Sequence, residues 1–203
     1  MESTRSKHDI FIVADDLGLD PAVNEGIFFA FKNDLIGGAS LMANGEAFDD
    51  AIQRLKNLPS ANIGIHLVLV EERPLTRIKL PRNNKTFFIK YLLGLIDLNA
   101  IEAEVKAQIE KCLASGVSPA FINSHQHLHL LPGMMGVIIK LAKKYGIPRI
   151  RIVNEPSHGR GRIFRKTQSV FLKLLSAIAK RKIQKAGLGC NDFFVGFINA
   201  GNI

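Results

Sequence analysis

Three of the chain's six histidines fall within five residues, at His125, His127 and His129, inside Asn123-Ser124-His125-Gln126-His127-Leu128-His129-Leu130-Leu131-Pro132. In extended backbone, alternate side chains share a face, so this spacing sends all three imidazoles the same way. A short strand over Ala120–Asn123 is expected to lead in, and Pro132-Gly133 to close the segment. Neutral imidazole is the commonest protein metal ligand, so the pattern points to a metal site. Two further polar clusters stand at Asp15-Asp16 and at His66. A carboxylate with two imidazoles leaves metal positions open for water and substrate, the pattern of catalytic sites. Neighbouring carboxylates in one site do not ionise independently, so one Asp can bind metal while the other accepts a proton. Taken alone, Asp15-Asp16 would be a helix cap or Asx turn, and His66, between Ile65 and Leu67, a hydrogen-bonded core histidine. The combination carries the argument.

The elements that must position these residues alternate strand and helix. His8–Ala14 reads as a buried parallel strand, apolar from Ile10 to Val13, with Asp15-Asp16 at its end. A helix follows from Pro21 to about Lys32. A short strand over Ala39–Met42 precedes a helix over Glu46–Lys56, with Phe48, Ile52 and Leu55 on one face. A third strand covers Asn62–Val70. The charged stretch Glu71–Asn84, with Pro74 and Pro81, reads as a loop or lid. An apolar helical piece over Phe87–Ile96 leads to a helix capped by Asn99, with Glu102 completing a capping box. Its apolar positions Ile101, Val105, Ile109 and Cys112 keep helical spacing. After the histidine segment come a helix over Met134–Tyr145 and a fifth strand over Arg149–Val153. Serial β–α units mean an α/β fold with parallel strands, whose chemistry gathers at the strands' carboxyl ends.

With 203 residues, 47% apolar residues and a mean hydropathy of +0.12, the chain fits one globular domain over 1–203. Two unpatterned cysteines suit a reducing compartment, and no segment looks like a signal peptide or membrane span, which predicts a cytoplasmic protein. The net charge of +9 is concentrated in 156–191, which holds nine basic residues and no acidic ones. Elsewhere 18 basic residues (27 less nine) face 18 acidic ones. Within this segment, Val170, Phe171, Leu174, Leu175, Ile178 and Ile183 recur at helical spacing among lysines and arginines. A basic amphipathic helix of this kind can meet an anionic membrane surface or an acidic partner. Nucleic-acid binding is not expected, because aromatics are not interleaved with the charges.

Ile12–Gly18, Val23–Ile27, Ser40-Leu41-Met42-Ala43-Asn44-Gly45, Gly64–Leu67 and Ser124–His129 followed by Leu131-Pro132 together resemble the YdjC-like carbohydrate deacetylases. The similarity runs from Ile10 on. The family usually has Phe where Leu17 stands. It implies an irregular (β/α) barrel and removal of acetyl groups from N-acetylated sugars, chito-oligosaccharides among them, by metal-assisted amide hydrolysis. Asp16, His66 and His125 would hold a divalent ion, Mg²⁺ or Zn²⁺, and Asp15 would be the general base. His127, His129 and Asn44 would line the site or orient the ligands. The basic helix followed by Ala186–Leu188 and Asp192–Gly196 is similar to the hopanoid-associated members, and the expected partner is an N-acetylated saccharide or glycolipid substrate. Family members usually continue past Gly196 and carry a His-Pro motif whose His is a candidate acid. This chain stops at Ile203 without His-Pro, and His158 is its only histidine after the cluster. The expectation is therefore a truncated product, a fragment, or a member that finds its acid elsewhere, with the barrel incomplete at the carboxyl end. A second reading is an inactive relative that binds a partner or membrane surface through its basic helix. A metal-dependent phosphoesterase would use similar ligands but lacks a glycine-rich phosphate cradle here.

Overall fold

The computed structural model describes residues 10–155 and 163–197, and the side chains of the last helix from Thr167 on. His158, Arg160 and Arg162, and the side chains of Arg165 and Lys166, lie outside the described residues. The elements in order are β1 (Val13–Leu17), α1 (Pro21–Lys32), β2 (Gly38–Leu41), α2 (Phe48–Leu55), β3 (Asn62–Leu67), α3 (Asn84–Leu92), α4 (Leu98–Ala114), β4 (Ile122–Ser124), a 3₁₀ segment (His125–Leu130), α5 (Met134–Lys144) and α6 (Ile163–Lys185).

The four strands pair in parallel in the order β1-β2-β3-β4. Each strand lies beside its predecessor, the winding of a (β/α) barrel; a doubly wound sheet reverses its order part-way. The expected fifth strand exists only as isolated parallel bridges, Ile122 to Ile150 and Arg149 to Gly189. Ile152 instead donates its N–H to the Asn191 side-chain oxygen and accepts with its carbonyl from the Asn191 amide.

The first strand begins later than the apolar run suggests. Ile10, Phe11 and Ile12 are exposed at 87%, 54% and 55% and lie outside it. Pairing starts where β2 can supply it, at Val13 opposite Gly38, so Asp15 and Asp16 lie within the strand. A strand is bounded by its partner as much as by its own hydropathy.

Helix α1 starts at Pro21, as expected, with the Asp20 carboxylate accepting from the Ala22 and Val23 amides. Helix α4 starts earlier than expected. Asp97 is its cap, accepting from the Asn99 amide at 2.8 Å, and Glu102 reaches across to Lys140 instead. Ile101, Val105, Ile109 and Cys112 are buried on one face of α4 against the sheet residues Ile65, Leu67 and Ile122 and against Ile138 and Leu141 of α5. Each such side chain stabilises the fold by about 1.5–3 kcal/mol relative to exposure. Gly64 leaves room in β3 for the Phe121 ring, which a Cβ there would displace. Helix α6 buries Leu175, Ala179 and Ile183 but leaves Val170, Leu174 and Ile178 exposed. Among the described residues, no helix is long and apolar enough to cross a membrane.

Candidate active site

Consecutive residues in a strand ordinarily point to opposite faces. Asp15 and Asp16 escape that rule through a bulge. Ala14 lies opposite Ala39 but Leu17 opposite Leu41, so β1 holds one extra residue, and Asp16 adopts a left-handed φ of 67°. A bulge re-aims side chains, and here it brings both carboxylates to one place. The turn that follows is locked. The fully buried Asn24 accepts from the Gly18 amide at 2.7 Å and donates to the Ala47 carbonyl and the Asp50 carboxylate. Gly45 presses against this turn so closely that a Cβ would overlap the Gly18 carbonyl.

Asp15 sits in a web of donors. Its Oδ1 accepts from Ser40 Oγ at 2.7 Å, Asn123 Nδ2 at 3.0 Å and Arg151 Nη1 at 2.8 Å. Its Oδ2 accepts only from Arg151, at 2.6 Å, among the described residues. The Arg151 guanidinium lies 5.7 Å and 5.6 Å from the ring centres of Phe121 and Phe194, which fix its plane. Burial opposes ionisation of Asp15, but His66 and Arg151 nearby and the Arg151 and Ser40 hydrogen bonds outweigh it and hold the carboxyl below its usual range.

Asp16 meets the two histidines. Its Oδ1 lies 3.0 Å from His66 Nε2 and 3.1 Å from His125 Nδ1. His66 is buried on β3, and its Nδ1 lies 2.7 Å from Asn123 Oδ1. The Asn123 amide orientation follows from its Nδ2 donating to Asp15, so His66 Nδ1 carries the hydrogen and Nε2 keeps a lone pair toward Asp16. His125 repeats the pattern. Its Nε2 lies 2.8 Å from Glu71 Oε2, leaving Nδ1 toward Asp16. Without a cation between them, burial of Asp16 is outweighed by hydrogen bonds from His125 and His66, which drive its pKa well below the usual range. The same Asp16 bond, opposed by burial and helped by Glu71, pushes His125 up to about 9. A cation takes the place of the protons in those bonds, and the lone pairs then face it.

Asp16, His66 and His125 thus each offer a ligand atom, all within 4.8 Å of one another. With Asn123 and Glu71 occupying the outer ring nitrogens, three acceptor atoms converge on one point. A divalent cation satisfies all three, and ring N–H bonds to a carboxylate or carbonyl are the usual support for metal-binding imidazoles. The residues therefore fit a metal ion.

The remaining histidines are placed differently from the expectation of one shared face. The extended backbone ends with Ser124, the last residue to pair with β3, and the chain then enters a 3₁₀ segment with Gln126 and His127 at φ 56° and 57°. The three rings diverge. His129 is wholly buried, with Nε2 2.8 Å from the Arg151 carbonyl and Nδ1 2.7 Å from Ser124 Oγ. It supports the backbone that carries Arg151. His127 packs against Phe194 and Phe197, and its Nδ1 is enclosed without a hydrogen-bond partner among the described residues. Burial pushes His127 down to about 3 and His129 down to about 4, so both rings are neutral at neutral pH. Asn44 donates to the Arg73 carbonyl at 3.0 Å, tying the loop after β3 to the loop after β2.

Ser40 and Asn123 lay within motif stretches whose other members drew the attention. Arg151 and Glu71 were missed outright. The available signal for Arg151 was a lone charge inside the apolar run Ile150–Val153. Glu71 opens a loop that is firmly anchored. Buried Glu104 on α4 accepts from the Leu75 and Thr76 amides and the Thr76 hydroxyl, and Gln108 grips both backbone groups of Val68.

Consecutively wound parallel strands with a carboxylate–imidazole cluster at their carboxyl ends define an α/β protein with a site fit for a divalent cation. The model of the YdjC-like protein family matches residues 9–203, and the chain belongs to that family. It is 34% identical over 150 residues to a carbohydrate deacetylase of Clostridium beijerinckii, covering 71% of this chain and 61% of that protein. It is 36% identical over 137 residues to a carbohydrate deacetylase of Geobacillus stearothermophilus, covering 66% and 56%. A crystal structure from Enterococcus faecalis V583, provisionally described as a cellobiose-phosphate cleavage protein, superposes with a TM-score of 0.62 and 25% identity over 82% of this chain and 64% of that one. The matches therefore span less than two thirds of each relative.

Proposed function

We propose that the protein is a metal-dependent hydrolase that removes acetyl groups from N-acetylated sugars. The observation that carries this reading is the convergence of Asp16, His66 and His125 acceptor atoms beside a second, separately partnered carboxylate, Asp15. The relatives' printed activity, carbohydrate deacetylase, supports the substrate class. Asp16, His66 and His125 hold the ion, Zn²⁺ or Mg²⁺. When bound, it supplies Lewis-acid stabilisation of the charge that builds on the amide oxygen.

Asp15 is the proton carrier in this reading. Three donors occupy Oδ1, whereas Oδ2 keeps a lone pair beside its single Arg151 bond. Oδ2 accepts the proton of the attacking water. A depressed pKa weakens Asp15 as a base but makes its acid form a strong donor, suited to returning the proton to the departing amine. Arg151, Ser40 and Asn123 keep the carboxylate oriented through the transfer. His127, neutral between Phe194 and Phe197, lines the site, and His129 supports it from behind.

The test is acetate release from N-acetylglucosamine oligomers with Zn²⁺ or Mg²⁺ added, beside the Asp16→Ala variant. Release by the native chain and none by the variant is expected. Tight metal binding without release from any N-acetylated sugar would turn the reading to the alternative, a family member that binds but does not hydrolyse.

A further inference from the structure

The segment 156–191 is not the only stretch of this chain without acidic residues. From Arg73 to Ile96 there are six basic residues and again no Asp or Glu. The two stretches are distant in sequence but meet in the fold. The Phe88 ring on α3 packs edge-on against Phe171 on α6, with centres 6.0 Å apart. Together the two helices expose apolar side chains that the core does not use: Ile89, Leu92 and Leu93 from α3, and Val170, Leu174 and Ile178 from α6. Leu92 and Leu174 are 67% and 61% exposed.

The arrangement on α6 is ordered. Leu175, Ala179 and Ile183 take the core face, while Val170, Leu174 and Ile178 form an i, i+4, i+8 stripe on the opposite face. Helical spacing continues that outward stripe into Arg181 and Lys185, with Lys173 and Lys182 beside it. On α3, Lys85 shares the exposed side with Ile89 and Leu92. A solvated helix face would carry mixed charges. This one carries exposed leucines within a field of one sign.

We infer that the paired outer faces of α3 and α6 dock on an anionic lipid bilayer. Apolar side chains entering the interface and lysines and arginines reaching lipid phosphates are the two components of interfacial helix binding. The charge complementarity selects the occupant: a face with no carboxylate in either contributing segment suits a surface of fixed negative charge. The docked face adjoins the site. Asn84 at the start of α3 donates to Gln126, the neighbour of His125, and the Tyr91 hydroxyl donates to the Pro132 carbonyl just beyond the histidine segment. Docking would therefore hold the Asp/His cluster near the membrane plane, within reach of a lipid-linked sugar.

The surface does not depend on the chemistry proposed above, so its test is separate. The protein is sedimented with vesicles of phosphatidylglycerol and phosphatidylcholine in equal parts, and with phosphatidylcholine alone, at low and high salt. Binding to the anionic vesicles only is expected. Lys173→Glu with Arg181→Glu should weaken it by about tenfold or more. Leu92→Ser with Leu174→Ser should remove the fraction that resists salt and leave low-salt binding. All four side chains are exposed, and unchanged circular dichroism would show that the variants are folded. Asp16→Ala should bind vesicles like the native chain. The inference is overturned if anionic vesicles bring down no protein at low salt, or if neither double variant changes binding. It is also overturned if the native chain is a dimer that Leu92→Ser with Leu174→Ser dissociates, because the face would then belong to a second copy.

Discussion

The strand ends of β1 to β4 and the outer face of α3 and α6 are opposites in how they treat polarity. At the strand ends, Asp15, Ser40, His66 and Asn123 exchange hydrogen bonds in a closed web that Arg151 completes, and Glu71 holds His125 beside it. On the helix pair, leucines stand in solvent and neither contributing stretch holds a carboxylate. A closed web has little tolerance: removing one member leaves a buried partner unsatisfied, at about 1–3 kcal/mol and more for a charge. An exposed face tolerates substitution and is free to meet something else. One region is built for a small, fixed geometry, the other for a surface.

The sharpest break should come at Asp15. Asp15→Asn keeps the shape but cannot take the proton, so turnover on N-acetylglucosamine oligomers should fall by about 10²–10⁴-fold while the metal stays bound. A near-native rate would remove Asp15 from the proton transfer.

A smaller effect tests the buried half of the comparison through pH. His129 takes up a proton near 6.5 when unfolded but only near about 4 when folded. Between these values the unfolded chain binds more protons. Stability is therefore present in full above about pH 6.5 and falls as pH drops toward 4, by about 3 kcal/mol from this ring. His127 acts in the same direction. Urea unfolding across this range should show the loss, and His129→Gln should flatten it. A flat native profile would mean that the rings are not buried neutral.

The smallest effect belongs to the helix face. Leu174→Ser should change stability by no more than about 0.5 kcal/mol, as surface substitutions do. Ile109→Ala in the core should cost about 2–5 kcal/mol in the same urea titration. Equal losses would show that Leu174 is packed and would erase the contrast.

How much of this was legible depended on how far each residue's partners lie along the chain. The alternation of elements was readable because α1 carries its own start signal at Asp20-Pro21 and α4 and α5 their own apolar spacing. Asp15-Asp16, His66 and the histidine triplet were readable as polar clusters at strand ends, but the choice of Asp16, His66 and His125 among them came only from the family resemblance. Arg151 was not, since its role exists only against Asp15, 136 residues earlier. Glu71 reaches His125 across 54 residues and looks like any loop carboxylate. The single face expected for His125, His127 and His129 failed for a related reason. Strand period holds only while a neighbouring strand holds the backbone, and the β3 pairing ends at Ser124. The late start of β1 has the same cause, because β2 begins only at Gly38.

The central claim is that Asp16, His66 and His125 form one cation site. Anomalous diffraction from crystals grown with Zn²⁺, collected for the native chain and for Asp16→Ala, tests it most directly. The account predicts one peak within about 2.0–2.3 Å of a carboxylate oxygen of Asp16 and a ring nitrogen of each histidine, and no peak there in the variant. A native crystal with no peak between these three residues, or a peak that survives Asp16→Ala unchanged, would contradict it.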